Sequence, residues 1–365
     1  MAYFIEKGTN YAYQLQYLEN LNFQEVRDLS VRIISYLPEV VINQLHRELD
    51  HGTGLLKEEI GLSMYMYAYG KMHYAKLEQA FLYLPEWFDC GLDIEVIDYA
   101  CGQGLGVIAF ADYCKRTGIP LSQVKRLTLI DLSSVCLKRA ALHASTFFPG
   151  IEINTVKKCL NKLSTRDIKT RTDRVKIHIF SNILDMESIH LKSLAQYLLK
   201  RFSGMNYFVC VGPYYGETSK SMRITTFSDY FTSTKKGNSI CCLELDKGEF
   251  RGWSCQILLF SYMQIRTEVM RRIVRLHDEV ALGDKGAQLE LASWYEKIQY
   301  YERAFNLYMK LAEQGNPEAQ YQLGNLYFSG DGVEFDLDEA LAWYRSAADQ
   351  GNEKAISILE DLNLY

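Results

Sequence analysis

The sequence predicts an α/β fold in which a parallel sheet is flanked by helices, preceded by a helical region and followed by an all-α helical-repeat module. Three observations predict it: short apolar stretches alternate with helical stretches, a glycine-rich segment follows the first apolar stretch, and the last part of the chain repeats itself. We place the N-terminal helical region at residues 1–90, the α/β domain at 91–264, a helical connector at 265–280 and the repeats at 281–365.

The composition is that of an ordinary globular protein with more than one domain. The chain has 365 residues, of which 48% are hydrophobic and 23% are charged, and single cores seldom grow beyond about 250–300 residues. The formal net charge of −5 lacks the basic excess that drives non-specific nucleic-acid binding. The net charge therefore does not indicate a nucleic-acid partner, although it leaves one open. The basic stretches at 157–174 and 266–275 are more simply interpreted as solvent-exposed helix or loop faces.

Cysteine use and hydropathy bear on the compartment. The nine cysteines include no C-x-x-C pair, so we expect reduced thiols and no metal site. No stretch approaches the roughly 18 apolar residues that a membrane-spanning helix needs, and the first residues lack the pattern of an export signal. These observations predict a cytoplasmic protein that does not associate with membranes.

The N-terminal region has the pattern of a series of helices. Apolar periodicity runs from Phe23 to Leu37 and resumes from Glu39 to Leu49. The next segment, Met64 to Tyr83, is rich in aromatic residues. Two interpretations stay open for it: packing against the next domain, or lining a small-molecule pocket that Tyr69 and His73 would reach.

Short apolar stretches predict the strands of the sheet. The predicted strands are Ile94 to Tyr99, Leu127 to Ile130, Ile151 to Val156, Val175 to Phe180 and Tyr207 to Val211, and the helices between them are Val107 to Arg116, Ser133 to Phe147 and Ser188 to Phe202. Two further runs, Ser239 to Leu245 and Cys255 to Tyr262, are expected to form a hairpin at the sheet edge with its turn at 246–249. This brings the number of strands to seven.

A glycine-rich segment, Asp98-Tyr99-Ala100-Cys101-Gly102-Gln103-Gly104-Leu105-Gly106, follows the first strand and opens a helix. Small residues let a ligand approach the backbone, and a helix N-terminus offers free N–H groups. A purely structural turn is the alternative. The segment lacks the G-x-x-x-x-G-K-[ST] pattern of a P-loop, and the acidic Asp98 fits poorly with a dinucleotide-binding turn.

This segment resembles motif I of class I S-adenosylmethionine-dependent methyltransferases, whose common form is D-x-[AG]-C-G-x-G-x-G. The resemblance implies a Rossmann-like seven-stranded sheet and S-adenosylmethionine as the cofactor. It also implies that Asp98, Ala100, Gly102 and Gly104 bind this methyl donor. The family's second marker, a carboxylate at the end of the second strand that accepts the ribose hydroxyls, corresponds to Asp131, which precedes a helix N-cap at Ser133.

Two further positions fit the family less closely. An acidic residue often follows the third strand near the adenine, whereas this sequence has Lys157 to Asn161 there, and Asn161 is a candidate substitute. The Asn-Pro-Pro-Tyr signature of amino-group methylation on nucleobases is absent from the end of the fourth strand. Tyr214 and Tyr215, after the fifth strand, are expected either to wall the acceptor site or to pack.

The end of the fourth strand is where we expect the acceptor, because ligands bind at the carboxyl ends of parallel strands. Ser181, Asn182 and Asp185 follow that strand. We assign Ser181 to the donor site and Asn182 and Asp185 to catalysis, with Asp185 as the candidate general base. A helix-cap role is the alternative for Asp185.

The repeats begin with three aligned segments, at Gly283 to Ala287, Gly315 to Ala319 and Gly351 to Ala355, spaced by about 32 and 36 residues. Residues 319–348 resemble the Sel-one-like repeat, a relative of the tetratricopeptide repeat. The resemblance implies a protein partner. Docking of the repeats on the α/β domain is the alternative, because fewer than three full copies are present.

These features together predict a methyltransferase that uses S-adenosylmethionine, with the repeats recruiting a protein partner. The acceptor is open among a protein side chain, a small molecule and RNA. The alternative is a non-catalytic S-adenosylmethionine sensor or a protein-interaction scaffold.

Overall fold

The structure is a computed structural model of the chain. It describes residues 11–50, 54, 56–85, 92–171, 174–232, 238–250, 253–264, 268–297 and 301–362. The chain divides into two compact units: the first comprises Met1–Phe88 and Asp93–Ile265, and the second comprises Asp89–Leu92 and Arg266–Tyr365. The boundaries between the four segments expected from the sequence stay a prediction, and residues 265–267 of the expected connector lie outside the described residues.

The first unit is built on a seven-stranded sheet with the order β3-β2-β1-β4-β5-β7-β6. The strands are β1 Ile94–Tyr99, β2 Val124–Asp131, β3 Glu152–Lys157, β4 Val175–Ser181, β5 Gly204–Gly212, β6 Asn238–Phe250 and β7 Trp253–Gln264. The first five strands pair in parallel, and β7 is antiparallel to both β5 and β6. The α/β fold with seven strands predicted from the sequence is confirmed. The parallel order places the carboxyl ends of β1, β2 and β4 side by side.

The edge hairpin differs from the prediction in the position of its turn. The expected turn residues, 246–249, lie within β6, where Asp246 pairs with Ile257 and Glu249 with Ser254. The Tyr83 hydroxyl donates a hydrogen bond to the Asp246 carboxylate at 2.8 Å. The placement of the turn at 246–249 is wrong because the antiparallel ladder continues from Glu244 as far as the pair of Phe250 and Trp253 and overrides the local turn propensity of Asp-Lys-Gly.

Helices cover both faces of the sheet, and this explains why every residue of β1 is buried. The helices of the first unit are α1 Tyr11–Gln16, α2 Phe23–Ser35, α3 Glu39–Glu48, α4 Glu59–Tyr65, α5 Lys71–Leu82, α6 Leu105–Thr117, α7 Ser134–Phe147, α8 Leu191–Arg201 and α9 Ser219–Thr232. A π-helical turn, Met66–Gly70, joins α4 to α5 without a break. Ser133 is the N-cap of α7, as predicted, because its hydroxyl accepts the Cys136 N–H at 3.2 Å.

One face of the sheet carries a row of stacked rings under α8 and α9. Tyr99 stacks on Phe180 with ring centroids 4.3 Å apart, and Phe208 stacks on both His178 and Phe260 at 4.4 Å and 4.6 Å. Burial lowers the pKa of His178 to about 3. The imidazole is therefore a neutral member of the core, bonded to the Tyr99 hydroxyl and the Asn206 side chain.

The opposite face packs against the N-terminal helices. The Asp112 carboxylate, on α6, accepts hydrogen bonds from the Phe23 N–H and the Tyr74 hydroxyl, both at 2.9 Å. The Phe23 and Tyr74 rings stack at 3.9 Å. One carboxylate thus ties α2 and α5 to α6, which explains part of the aromatic enrichment of this region as packing.

The second unit is all helical. Its helices are α10 Glu268–Ala281, α11 Lys285–Lys297, α12 Tyr301–Glu313, α13 Pro317–Ser329, α14 Leu337–Ala348 and α15 Glu353–Asp361. The repeated sequence is a helix junction: a glycine with positive φ ends one helix, the next side chain caps the following helix, and a buried alanine fills the crossing. The capping side chains are Asp284, Asn316 and Asn352, which accept the N–H groups of Ala287, Ala319 and Ala355 at 2.9, 2.9 and 3.1 Å.

No helix among the described ranges is both long enough and apolar enough to cross a membrane.

The loop before α14 packs tightly against the start of α12. Gly332 has φ +73°, and a Cβ atom there would lie 2.4 Å from the Tyr301 carbonyl carbon and 2.5 Å from the Glu302 nitrogen. Gly351 has φ +82°, but a Cβ atom there would have nothing within 4 Å. The two glycines therefore separate the effect of a positive φ from the effect of crowding.

We expect Gly332→Ala to lower the free energy of unfolding by roughly 2–5 kcal/mol, because a left-handed alanine costs about 1–2 kcal/mol and overpacking adds about 1–3 kcal/mol. Gly351→Ala, the matched control, should show only the first effect. Urea denaturation followed by circular dichroism measures both. Equal losses in the two variants would contradict the tight packing of this loop.

Candidate functional site

The glycine-rich turn lies at the carboxyl end of β1 and leads into α6. Ala100, Gly102 and Gly104 have φ values of +56°, +52° and +85°, so the backbone adopts conformations that an ordinary side chain disfavours. A Cβ atom at Gly102 would have nothing within 4 Å. The turn therefore leaves open space beside Gly102, whereas a Cβ atom at Gly104 would lie 3.0 Å from the Ala140 Cα atom. The donor-binding role of these residues stays a prediction.

Asp131 holds this turn against the end of β2. Its two carboxylate oxygens accept the Gly102 N–H at 2.9 Å and the Ser133 N–H at 2.8 Å. A carboxylate offers about four lone-pair positions, so capacity remains for two more donors. Burial raises the pKa of Asp131, and the hydrogen bonds from backbone N–H groups oppose that shift.

Asp98 lies beneath the turn with an unsatisfied carboxylate oxygen. The residue is 2% exposed, and its Oδ2 atom has no hydrogen-bond partner among the described residues. A Cβ atom on Gly106 would lie 2.7 Å from that oxygen, so glycine at the third motif position leaves room for the carboxylate. Burial, and secondarily the charge of Asp131, hold the pKa of Asp98 well above its usual range.

The end of β4 carries a second group of polar side chains. Asn182 has φ +55°, and its backbone N–H donates to the Val211 carbonyl at 2.7 Å. Its Nδ2 atom donates to Ser181 Oγ at 3.0 Å and to His73 Nδ1 at 3.1 Å. The amide oxygen of Asn182 accepts no hydrogen bond from the described residues, and it stays available to a ligand.

Asp185 lies three residues further along the chain, half-buried. Its Oδ1 atom is buried without a hydrogen-bond partner in the described part of the chain. Burial raises its pKa, and the charges of Lys220, Arg223 and Lys76 oppose the shift. The next helix begins at Leu191 with His190 at the N-cap position, so the helix-cap alternative for Asp185 is wrong.

The N-terminal helices contribute two residues to this group. His73 accepts the Asn182 amide, and the Tyr65 hydroxyl lies 3.0 Å from the same Nδ1 atom. An amide nitrogen can only donate, so the proton of neutral His73 resides on Nε2. Burial lowers the pKa of His73 to about 3, and the imidazole stays uncharged at neutral pH.

A π-helical turn produces this alignment. Tyr65 and His73 are eight residues apart, and in a regular helix with about 3.6 residues per turn they would lie on different faces. The π-helical turn at Met66–Gly70 inserts about one extra residue, so the two side chains are about two full turns apart. The sequence pointed to Tyr69 and His73 as residues that would reach the pocket, but not to Tyr65, because the π-helical turn that aligns Tyr65 with His73 is not recognisable in the sequence.

The remaining candidates have local partners. Asn161 bonds through both amide atoms to the backbone, at the Ser188 carbonyl and the His190 N–H, and so stabilises the loop before α8. The Tyr214 hydroxyl donates to Glu217 at 2.9 Å. Tyr215 is exposed, with its backbone N–H bonded to the Ser221 hydroxyl.

An exposed apolar surface lies on the second unit, at the junction of α13 and α14. Phe328, Phe335 and Leu337 are 50%, 58% and 42% exposed, and the two phenylalanine rings lie 6.5 Å apart. The Asp336 N–H donates to the Tyr327 carbonyl at 3.1 Å, which fixes the intervening loop. Contiguous exposed apolar side chains commonly mark protein-binding sites.

Comparison with known proteins gives partial matches. The sequence matches the Sel1 repeat family over residues 287–316 and 317–352. Over 95 residues it is 34% identical to the chitin synthase regulator SKT5 of Saccharomyces cerevisiae. The matched segment covers 24% of this chain and 13% of the yeast protein. Over 64 residues it is 44% identical to an uncharacterised protein of Neisseria meningitidis serogroup B. That segment covers 18% of this chain and 14% of the Neisseria protein.

Among solved structures, the chain is similar to a magnesium protoporphyrin IX methyltransferase from Synechocystis with bound S-adenosylmethionine. The identity is 13% and the TM-score 0.37, over 67% of this chain and 99% of that one. The curated relatives are matched over only 13% and 14% of their own lengths. The chain therefore carries two Sel1 repeats, over residues 287–316 and 317–352, beside a seven-stranded α/β unit that has S-adenosylmethionine-dependent methyltransferases among its structural neighbours.

Proposed function

We propose that the first unit binds S-adenosylmethionine and transfers its methyl group to an acceptor, and that the Sel1 repeats recruit a protein partner. One observation carries the proposal: the Asp98 carboxylate is buried beneath the glycine-rich turn with one oxygen unsatisfied. A buried carboxylate without a partner costs stability. A cationic ligand above the turn would compensate it.

The residues at the ends of β1 and β2 fit this donor. Asp98 places a carboxyl group near the turn, and a ligand with a positive sulfonium and a positive ammonium group would favour its ionised form. Asp131 keeps free lone pairs beside the bonds that it accepts from Gly102 and Ser133, which suits ribose hydroxyls. When bound, S-adenosylmethionine supplies an electrophilic methyl group.

The residues at the end of β4 orient the acceptor and remove its proton. His73 and Ser181 fix the amide of Asn182, so its oxygen can accept a hydrogen bond from the acceptor nucleophile. Asp185 has an unsatisfied oxygen and a raised pKa, which brings its basicity closer to that of a proton acceptor at neutral pH. Neutral His73 adds no charge to the site, and its role is to position the Asn182 side chain.

The exposed surface at Phe328, Phe335 and Leu337 supports recruitment of a partner by the repeats. Apolar side chains held outward by a fixed loop bind without a large loss of conformational freedom. Acidic residues lie close to them in the sequence, at Asp331, Glu334 and Asp338. We propose that this surface, and not only the grooves between helices, contributes to partner binding.

We expect Asp131→Asn to weaken S-adenosylmethionine and S-adenosylhomocysteine binding roughly 5- to 150-fold, because ribose hydroxyls lose a charged acceptor worth about 1–3 kcal/mol. Isothermal titration calorimetry measures the affinity. Asp349→Asn, at an exposed carboxylate after α14, is the control and should bind as the unchanged protein does. Equal affinities for all three proteins would remove Asp131 from the donor site.

The raised pKa of Asp98 predicts a pH dependence of stability. Because the folded protein holds this proton more tightly than the unfolded chain, Asp98 contributes stability at low pH that is lost as the pH rises through its folded pKa. Without donor, the free energy of unfolding of the wild type should therefore fall with rising pH, above about pH 4, relative to that of Asp98→Asn. Urea denaturation across pH 5–8 measures the difference, and parallel curves would contradict it.

We expect the double variant Asn182→Ala, Asp185→Ala to bind the donor as the wild type does, while transfer of a labelled methyl group to lysate fractions slows by about 10²- to 10⁴-fold, the range for a lost positioned base. Leu337→Ser with Phe335→Ser is the matched variant on the repeats. It should reduce transfer only to a recruited protein acceptor.

Two outcomes would revise the proposal. Donor binding without any transfer by the wild type would identify a sensor, and absence of donor binding would leave a scaffold.

A further inference from the structure

Lys76, on α5, is buried without a partner. It is 2% exposed, and among the described residues its ammonium donates no hydrogen bond and forms no ion pair within 4.0 Å. Lysine is almost never fully buried unless it is paired, because removing an ammonium group from water is costly. Burial accordingly lowers the pKa of Lys76. An unpaired ammonium group at such a position indicates a binding site for an anionic ligand.

Lys76 lies on the side of the site where we place the methyl acceptor. Lys76 follows His73 by one helical turn, so the two side chains project from the same face of α5. His73 contacts Asn182 at the end of β4 at 3.1 Å. Helix α5 also packs against β5 and β7. The helix therefore presents both residues to the region where the sheet's carboxyl edge meets the N-terminal helices.

Asp185 is the carboxylate whose charge acts on Lys76, and the two groups do not pair. Each shifts the pKa of the other in the direction of its charged form, so they lie within electrostatic reach. No ion pair joins them within 4.0 Å among the described residues, and Asp185 Oδ1 is unsatisfied. Two other cations act on Asp185. Lys220 Nζ lies 5.9 Å from the centroid of the Tyr215 ring, and Arg223 is committed to the carbonyls of Leu184, Met186 and Ile189. Lys76 and Asp185 are thus left as a separated cation and anion.

We propose that Lys76 binds an anionic oxygen group of the methyl acceptor, placed close to the N–H or O–H nucleophile that faces Asp185. The proposal rests on the proposed function and names its substrate class: an acceptor that carries a carboxylate or a phosphate beside the atom that is methylated. Such a molecule satisfies the unpaired ammonium of Lys76 with its anion and the unsatisfied oxygen of Asp185 with its donor. A neutral or cationic acceptor would leave Lys76 unpaired.

The test compares Lys76→Met with Lys71→Met, an exposed lysine on the same helix. Because methionine removes a buried, uncompensated charge at similar volume, we expect Lys76→Met to raise the melting temperature by roughly 2–6 °C, and Lys71→Met to leave it within about 1 °C. Sodium acetate and inorganic phosphate, added with S-adenosylhomocysteine present, are the anion probes. Either anion should stabilise the wild type and Lys71→Met, but not Lys76→Met.

Two results would overturn the proposal. One is a lower melting temperature for Lys76→Met together with equal stabilisation of all three proteins by both anions, which is the behaviour of a packing residue. The other is a labelled methyl product from lysate that is not retained on an anion-exchange column at neutral pH. Calorimetry with S-adenosylhomocysteine on the wild type separates these results from failure of the proposed function, because absent donor binding defeats that function whatever the anions do.

Discussion

The arrangement of the site depends on one carboxylate that bridges two loops. Asp131, at the end of β2, accepts an N–H from the turn after β1 and another from the start of α7. These bonds fix the positive-φ backbone of the glycine-rich turn and, through Ser133, the first turn of α7. Two further bonds support this bridge: His143 Nδ1, on α7, lies 2.7 Å from the Gln103 carbonyl, and the Cys101 N–H donates to the Ile130 carbonyl at 2.9 Å. The alignment of β1 and β2 is what brings the loops within reach of one side chain.

Besides this bridge, the first unit contains three ionisable side chains that form no ion pair within 4.0 Å among the described residues: Asp98, Asp185 and Lys76. Two other buried ionisable groups of the same unit do have partners: Glu95 bonds to Arg126 and Thr170, and His178 bonds to Tyr99 and Asn206. Ionisable groups without partners are typical of binding sites, where proteins give up stability for function.

The sheet and the donor side of the site were predictable because their signals are local. The short apolar stretches and the segment from Asp98 to Gly106 are each contiguous in the sequence, and Asp131 stands at the end of a strand. The hairpin turn was misplaced because ladder pairing over the full length of β6 and β7 is a tertiary effect. The contributions of Tyr65 and Lys76 depend on how the helices before the sheet lie against it, and one π-helical turn changes which residues share a face.

The strand order has a consequence for the folding of the chain during synthesis. β7 lies between β5 and β6, so β6 reaches the ribosome exit first and has no place in the sheet until residues 253–264 have emerged. The first five strands can associate in chain order, whereas the edge hairpin must join as a preformed pair. The segment Asn238–Phe250 of the nascent chain therefore stays unpaired until β7 has emerged, and during that time it is accessible to chaperones and to association with other chains.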